Sequence, residues 1–171
     1  MKMRSIALCC VLAFAVSFSA LAASFSAGLS ISEEVAPEKT GMRLYPGSVL
    51  VVRKSGNDDS VNIQFAFGEY GLKVVVAKLR TADSMAKVAQ FYLDELTQFG
   101  NVLDCSDPSV AEATRARDKK SKALTCDRDK LRKGGMIYKA GLKDDQYIVE
   151  IKPSGDGSEF SLVRVKVHRP E

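Results

Sequence analysis

The sequence predicts an α+β domain in which an antiparallel sheet carries one long amphipathic helix packed on one face. Two or three β-rich runs precede the helix, an irregular crossover follows it, and three or four more β-rich runs complete the chain. Consecutive runs are joined by short turns, which is typical of antiparallel hairpins. The predicted order is therefore β-β-(β)-α-β-β-β, with the apolar stripe of the helix covering the sheet.

The first 22 residues have the layout of a cleavable export signal. Lys2 and Arg4 carry positive charges, residues 6–18 are almost wholly apolar, and Ala20-Leu21-Ala22 places small residues where a signal peptidase reads. An uncleaved membrane anchor is the alternative, because residues 5–23 are nearly long enough to span a bilayer. We expect cleavage, with no membrane span left afterwards, and a periplasmic or secreted protein.

Cleavage after Ala22 would leave 149 residues, a common size for one domain. Residues 23–42 show little periodicity and are expected to be a flexible leader, so the single domain is expected at residues 43–169. Loss of Lys2 and Arg4 lowers the basic count from 25 to 23 against 21 acidic residues, a net charge of +2.

Export also decides the chemistry of the cysteines. The signal contains Cys9 and Cys10, and a lipid-attachment site is disfavoured because Leu8 stands where a small residue is required. Cys105 and Cys126 remain, in a compartment where thiols are usually oxidised. We expect them to form a disulfide worth about 3 kcal/mol. Two buried free thiols are the alternative, and the spacing does not fit a C-x-x-C redox pair.

Two or three strands are expected before the helix. Tyr45-Pro46-Gly47 is a turn signal that leads into a short β-rich run at residues 49–52. Apolar and polar residues alternate over residues 60–67, as in a strand buried on one side. Residues 72–79 are more continuously apolar and are expected to return as a more completely buried strand, which makes a hairpin.

The long helix is the best-defined element of the sequence. Asp83 or Thr81 can cap its N-terminus, and Gly100 can end it after Phe99. The apolar positions that recur every three or four residues are Val88, Phe91, Tyr92, Leu96 and Phe99.

Beyond the helix the chain forms a crossover and returns to the sheet. Asp107-Pro108 can open a second helix, which has few apolar residues and is expected to pack weakly. A turn is expected at residues 153–158. Strands are expected at residues 123–126, 135–142, 146–152 and 159–168.

The residue types present do not form a recognisable catalytic, metal or cofactor site. His168 is the only histidine, and it lies near the chain end with no acid or nucleophile beside it in sequence. Structural zinc commonly needs four thiolate or imidazole ligands, and the mature chain would have two cysteines and one histidine. The aspartates of the turns do not match the spacing of a calcium loop. An enzyme is disfavoured, and no cofactor is expected.

One part of the crossover is strongly basic. Between Arg115 and Lys133 nine basic residues outnumber three aspartates, a local net charge of +6. Such a segment can present a cationic surface to an anionic partner, although charge runs are more often solvated loops. Nucleic acid is disfavoured because export separates the protein from it. The basic residues are Arg115, Arg117, Lys119, Lys120, Lys122, Arg128, Lys130, Arg132 and Lys133.

Four short motifs consist of turn and core residues: Tyr45-Pro46-Gly47, Phe91-Tyr92, Leu124-Thr125-Cys126 and Gln146-Tyr147-Ile148-Val149. In these motifs the chain resembles a family of uncharacterised exported bacterial proteins. The resemblance covers residues 43–167 and implies a small α+β domain in an exported protein. It implies no activity, cofactor or catalytic residue.

We interpret the sequence as an exported, non-enzymatic domain that binds an anionic envelope component or another exported protein. One alternative is an envelope enzyme, such as a hydrolase, whose site forms only in three dimensions. The other is a structural or assembly protein whose sheet edge pairs with a partner strand.

Overall fold

The computed structural model describes residues 27–32, 37–51, 61–67, 70–115, 120–126 and 134–169. Within these residues, eight antiparallel strands form one sheet, and one long helix packs on one face of it. The predicted α+β class is therefore confirmed. The expected export signal at residues 1–22 lies outside the described residues.

Strands outnumber helices throughout the described part of the chain. The strands are β1 (Ala27–Ser32), β2 (Val49–Leu50), β3 (Val61–Phe67), β4 (Tyr70–Thr81), β5 (Leu103–Asp104), β6 (Met136–Leu142), β7 (Asp145–Ser154) and β8 (Gly157–His168). The helices are α1 (Met85–Leu96) and α2 (Pro108–Arg115), with 3₁₀ turns at Pro37–Thr40 and Thr97–Phe99. The order across the sheet is β1-β3-β4-β8-β7-β6-β5, and β2 also pairs with β4.

The two 12-residue strands β4 and β8 form the centre of the sheet. Their register runs from Gly71 opposite His168 to Thr81 opposite Ser158. The strand predicted at residues 72–79 lies within β4, and Val75, Ala77 and Leu79 are its buried side chains. Burial alternates along β4, with Val75 fully buried and its neighbours half-buried, because α1 covers only one face of the sheet.

Helix α1 packs its predicted apolar stripe against the sheet. Val88, Tyr92 and Leu96 are fully buried in the same cluster as Val149 and Phe160. The helix ends as predicted, since a 3₁₀ turn over Thr97–Phe99 is followed by Gly100. The φ of Gly100 is 122°, a conformation that glycine adopts readily because it has no Cβ. Burial of this stripe is the main apolar contact between helix and sheet.

The predicted cap of α1 was wrong. The N-cap is Ser84, and its side chain makes no capping hydrogen bond. Asp83 instead accepts hydrogen bonds from the hydroxyl of Tyr45 and from Nζ of Lys87, both at 2.9 Å. Both hydrogen bonds lower the pKa of the Asp83 carboxyl, and the one from Lys87 has the larger effect. The carboxylate therefore connects the segment before β2 to the first turn of the helix.

Ordered structure begins before the boundary expected at residue 43. Within the segment expected to be a leader, β1 pairs with β3, and Ile31 lies opposite Ile63. Thr40 and Met42 are buried, and Met42 belongs to the main core. The short β1 has a weak sequence pattern, and its backbone is ordered by pairing with β3.

The short strands also differ from expectation. Residues 123–126 make only an isolated bridge, between Ala123 and Leu142, rather than a strand. Residues 49–52 were expected to form a strand, and β2 contains only Val49 and Leu50. Strand β5, which pairs with β6, was not expected. A two-residue strand forms because a neighbouring strand supplies its hydrogen-bond partners. Two residues are too few to show the alternation of apolar and polar side chains from which longer strands are predicted.

Candidate functional site

Helices α1 and α2 lie on opposite faces of the sheet. Tyr138 and Val149 point to the α1 side, where they join the main core. Their neighbours Ile137 and Ile148 point to the other face. There they pack in a second cluster with both described cysteines and with Val110 and Ala111 of α2. The crossover between α1 and β6 therefore covers the β6–β7 part of the second face.

A disulfide closes this crossover. Cys105 and Cys126 are joined with an S–S distance of 2.05 Å, 21 positions apart in the chain. Both sulfur-bearing residues are buried beneath the crossover. The cysteine pair predicted from the sequence is therefore present as a bridge, and it ties the two ends of the segment that contains α2.

The backbone N–H groups of both cysteines donate hydrogen bonds to neighbouring elements. The hydroxyl of Thr114, which is buried, accepts a hydrogen bond from the backbone N–H of Cys126 at 3.1 Å and donates to the carbonyl of Ala111 at 3.2 Å. On the other side, the backbone N–H of Cys105 donates to the carbonyl of Ile137 at 2.8 Å. The disulfide is thus held between α2 and β6.

The end of the crossover is attached to β6 and to the turn after it. Nζ of Lys139 donates a hydrogen bond to the carbonyl of Thr125 at 3.1 Å, beneath the crossover. The backbone N–H of Lys143 donates to the carbonyl of Lys122 at 2.9 Å. Residues 122–126 therefore follow the outer edge of β6, where Ala123 forms its bridge with Leu142.

Three of the nine predicted basic residues are described, and all three are exposed. Arg115 is the last residue of α2, and Lys120 and Lys122 precede the bridge at Ala123. The structure therefore places these cations on the disulfide-closed crossover, which we call the basic crossover. The other six, Arg117, Lys119, Arg128, Lys130, Arg132 and Lys133, lie outside the described residues.

Next to the basic crossover, the same face of the sheet is apolar. Three cross-strand pairs join β4 and β8 there: Leu72 with Val167, Val74 with Val165, and Val76 with Val163. Tyr70 precedes them at the end of β4. We call these seven residues the valine face. Among the described residues, neither apolar cluster contains any of them.

The valine face is partly open to solvent. Tyr70 is 57% exposed and Leu72 39% exposed, and the five valines are half-buried. Its border with the basic crossover is defined by Ile148, which pairs with Val163 and also packs against the disulfide cluster. On the other side, β3 continues the sheet, with Ile63 opposite Val74 and Phe65 opposite Leu72.

Charged residues, with one ion pair among them, mark the other end of this face. Nζ of Lys152 lies 2.6 Å from a carboxylate oxygen of Glu159, its cross-strand partner. Arg80 is opposite Glu159 on the other side. The face therefore changes from charged to apolar along β4 and β8. Sequence alternation identified the three valines of β8 as one side of a strand, but it could not show that this side lies beside the basic crossover.

A shallow cleft of about 330 Å³ lies at the charged end of the sheet. Its lining includes Gly47, Arg80, Thr81, Asp156 and Gly157. Ser158 also lines the cleft, and its hydroxyl donates a hydrogen bond to the carbonyl of Asp83 at 2.6 Å. The cleft does not place a base beside a nucleophile, as acyl transfer would require.

Two tyrosines in the core between helix and sheet have raised pKa values. Burial raises the pKa of Tyr92, whose hydroxyl accepts a hydrogen bond from the backbone N–H of Tyr45 at 3.2 Å. Burial also raises the pKa of Tyr147, whose ring stacks on Phe99 with centroids 3.6 Å apart. These tyrosines stabilise the fold and do not line the cleft.

No group of three or more His, Cys, Asp or Glu side chains that could hold a metal ion occurs within the described ranges. In that part of the chain, no helix is both long and apolar enough to cross a membrane.

Comparison of the chain with protein-family models, curated proteins and solved structures found no match. The fold and the site nevertheless define a class in chemical terms. It is a disulfide-bonded α+β domain in which exposed cations on a tethered crossover border an apolar sheet face.

Proposed function

We propose that this protein is an exported, non-enzymatic domain that binds an anionic component of the cell envelope. The observation that carries the proposal is the position of Arg115, Lys120 and Lys122 on a crossover closed by a buried disulfide. Cations on a tethered segment lose less conformational freedom on binding than cations on a free chain. They also attract an anionic partner before contact.

Two further observations support export and the choice of partner. The N-terminus has the three-part layout of an export signal, and a disulfide is typical of proteins that mature outside the cytosol. The resemblance to exported bacterial proteins has the same implication. The cleft at the charged end of the sheet has no paired base and nucleophile, which gives the hydrolase alternative no support.

Charge reversal in the basic crossover tests the proposal. The variant Arg115→Glu/Lys120→Glu/Lys122→Glu should lose retention on phosphatidylglycerol vesicles and on heparin resin by more than about tenfold, because each basic residue near an anionic surface contributes about 1 kcal/mol. Retention of the wild type should also weaken as salt rises from about 0.05 to about 0.3 M.

A matched control reverses three charges on other surfaces. Lys73 and Lys166 are cross-strand partners on the α1 side of the sheet, and Lys39 is exposed in the first 3₁₀ turn. Lys39→Glu/Lys73→Glu/Lys166→Glu should keep most of the retention. Equal loss in both variants would show that net charge alone governs binding, and unchanged retention of the crossover variant would remove the basic crossover as the site.

A further inference from the structure

We infer that the valine face docks onto a lipid bilayer with anionic headgroups, so that its apolar side chains meet the acyl region while the basic crossover meets the headgroups. The inference rests on the proposed function and names the partner. It follows from the chemistry of one face of the sheet, on which an apolar surface and a cationic segment are neighbours.

The apolar part of this surface is continuous. Leu72, Val74 and Val76 lie opposite valines of β8, and successive side chains on one face of a strand are about 7 Å apart. With Tyr70 as a fourth position on β4, the face is about 20 Å long, and β3 extends the sheet beside it. Apolar surface left open to solvent is a feature of interaction sites, and Tyr70 and Leu72 are the exposed part of this face.

A tyrosine, Tyr70, lies at one end of the valine face. Tyr70 is the most exposed of its large apolar residues, at 57%, and it lies at the end of β4 farthest from the ion pair at Glu159. Tyrosine is enriched at the boundary between lipid and water, because its ring is apolar and its hydroxyl is polar.

Charge distinguishes a bilayer from a second copy of this chain. Ile148 pairs with Val163 of the valine face and packs against the disulfide cluster beside α2, whose last residue is the exposed Arg115. The basic crossover therefore begins on the same side of the sheet as the valines, and it continues through Lys122 to the outer edge of β6. Two copies packed through this face would bring two cationic segments to one interface, where like charges repel. An anionic polymer has the complementary charge but no apolar phase, whereas an anionic bilayer has both.

A cross-strand pair in the middle of the face is the best target for mutation. Leu72→Thr/Val167→Thr replaces two apolar partners by a residue that still favours strands. The partition of this variant onto vesicles of phosphatidylglycerol and phosphatidylcholine should fall by about tenfold, since each apolar carbon removed from the interface weakens binding. Its retention on heparin resin should equal that of the wild type.

A control removes equally exposed apolar residues from the other side of the molecule. Leu44 and Leu50 are 37% and 38% exposed, close to the 39% of Leu72. Leu50 pairs with Leu79 of the α1 side, and Leu44 lies between two residues that hydrogen-bond to α1. Leu44→Thr/Leu50→Thr should bind vesicles like the wild type. If the pair on the valine face does not fold, Tyr70→Ser provides an independent test and should weaken vesicle binding by about threefold.

The outcomes separate the inference from the proposed function. Wild-type protein that is retained on heparin but not on anionic vesicles would overturn the bilayer inference and leave the proposed function standing. Equal vesicle binding by wild type and Leu72→Thr/Val167→Thr would do the same. A concentration-dependent dimer in sedimentation velocity that this variant abolishes would assign the face to a second copy and also overturn the inference. Wild-type protein that binds neither probe would contradict both.

Discussion

The carboxylate of Glu95, in the last turn of α1, accepts hydrogen bonds from the backbone N–H of Arg43 at 2.9 Å and from its Nε at 2.6 Å. Nε2 of Gln98 donates to the same carboxylate at 2.6 Å. The Glu95 side chain is only 2% exposed. Burial alone would raise its pKa, but the hydrogen bonds from Arg43 and Gln98 outweigh burial and lower the pKa. This carboxylate therefore attaches the segment before β2 to the helix.

Glu95→Gln should destabilise the protein by about 2 kcal/mol, because a buried charge-assisted contact with Arg43 is lost. Urea unfolding at pH 7 measures this as a lower midpoint with an unchanged slope. Asp94→Asn is the control, since Asp94 is the exposed neighbour on the same helix. The control should shift stability by less than about 0.5 kcal/mol. Equal effects of the two substitutions would contradict the role given to Glu95.

The same contact predicts a pH dependence. The folded-state pKa of Glu95 lies below its unfolded value, so its ionised form favours folding. This contribution is fully present above the unfolded pKa of about 4.3 and is lost as the pH falls through the lower folded pKa. Wild-type stability should therefore fall between about pH 5 and pH 3 more steeply than that of Glu95→Gln. Some slope should remain in the variant, because the pKa values of Asp83 and Asp107 are also lowered by hydrogen bonds. Parallel curves for the two proteins would refute this assignment.

Removal of the disulfide should cost about 3 kcal/mol, since the bridge closes a loop of 21 positions. Cys105→Ser/Cys126→Ser should show this loss in thermal unfolding, and the wild type should approach the same stability when reduced. Mass spectrometry of the non-reduced protein should find the two cysteine peptides joined. Recovery of both cysteines alkylated without prior reduction would disprove the bridge.

Gly157→Ala should destabilise the junction of β4 and β8 by about 3 kcal/mol. An added Cβ would lie 2.1 Å from the carbonyl oxygen of Thr81 and 2.9 Å from Cα of Ala82, and both of these neighbours are backbone atoms. Gly155→Ala is the control. Its Cβ would meet nothing within 4 Å, so only the left-handed φ of +57° is unfavourable, at about 1 kcal/mol. A melting temperature lower for Gly155→Ala than for Gly157→Ala would contradict the predicted close contact.

Export predicts a specific N-terminus. Protein recovered from the periplasm or the medium should begin at Ala23, because Ala20-Leu21-Ala22 satisfies the small-residue rule of signal peptidase. N-terminal sequencing of the native protein decides this. A chain that begins at Met1, or one found only in the cytosol, would remove the argument for an oxidising compartment and with it the envelope partner.

Long elements were predictable because a repeated pattern along the chain records which side is buried. In α1, Val88, Tyr92 and Leu96 recur at helical spacing, and the same residues fill the core. The two faces of β8 were also predictable, with the valines on one side and Phe160 and Leu162 on the other. The cap was not predictable, because Asp83 is already engaged by Tyr45, a residue 38 positions away.

What the sequence by itself determined is local: the α1 stripe, the hairpin strands, the pairing of Cys105 with Cys126, and a net charge of +6 between Arg115 and Lys133. Only the tertiary structure decided which face of the sheet α1 covers and which strand lies next to the crossover. It also made the two-residue strands β2 and β5. The physical reason is that periodicity describes one element at a time, whereas the contact of Ile148 with both the valine face and the disulfide cluster depends on strand order and register.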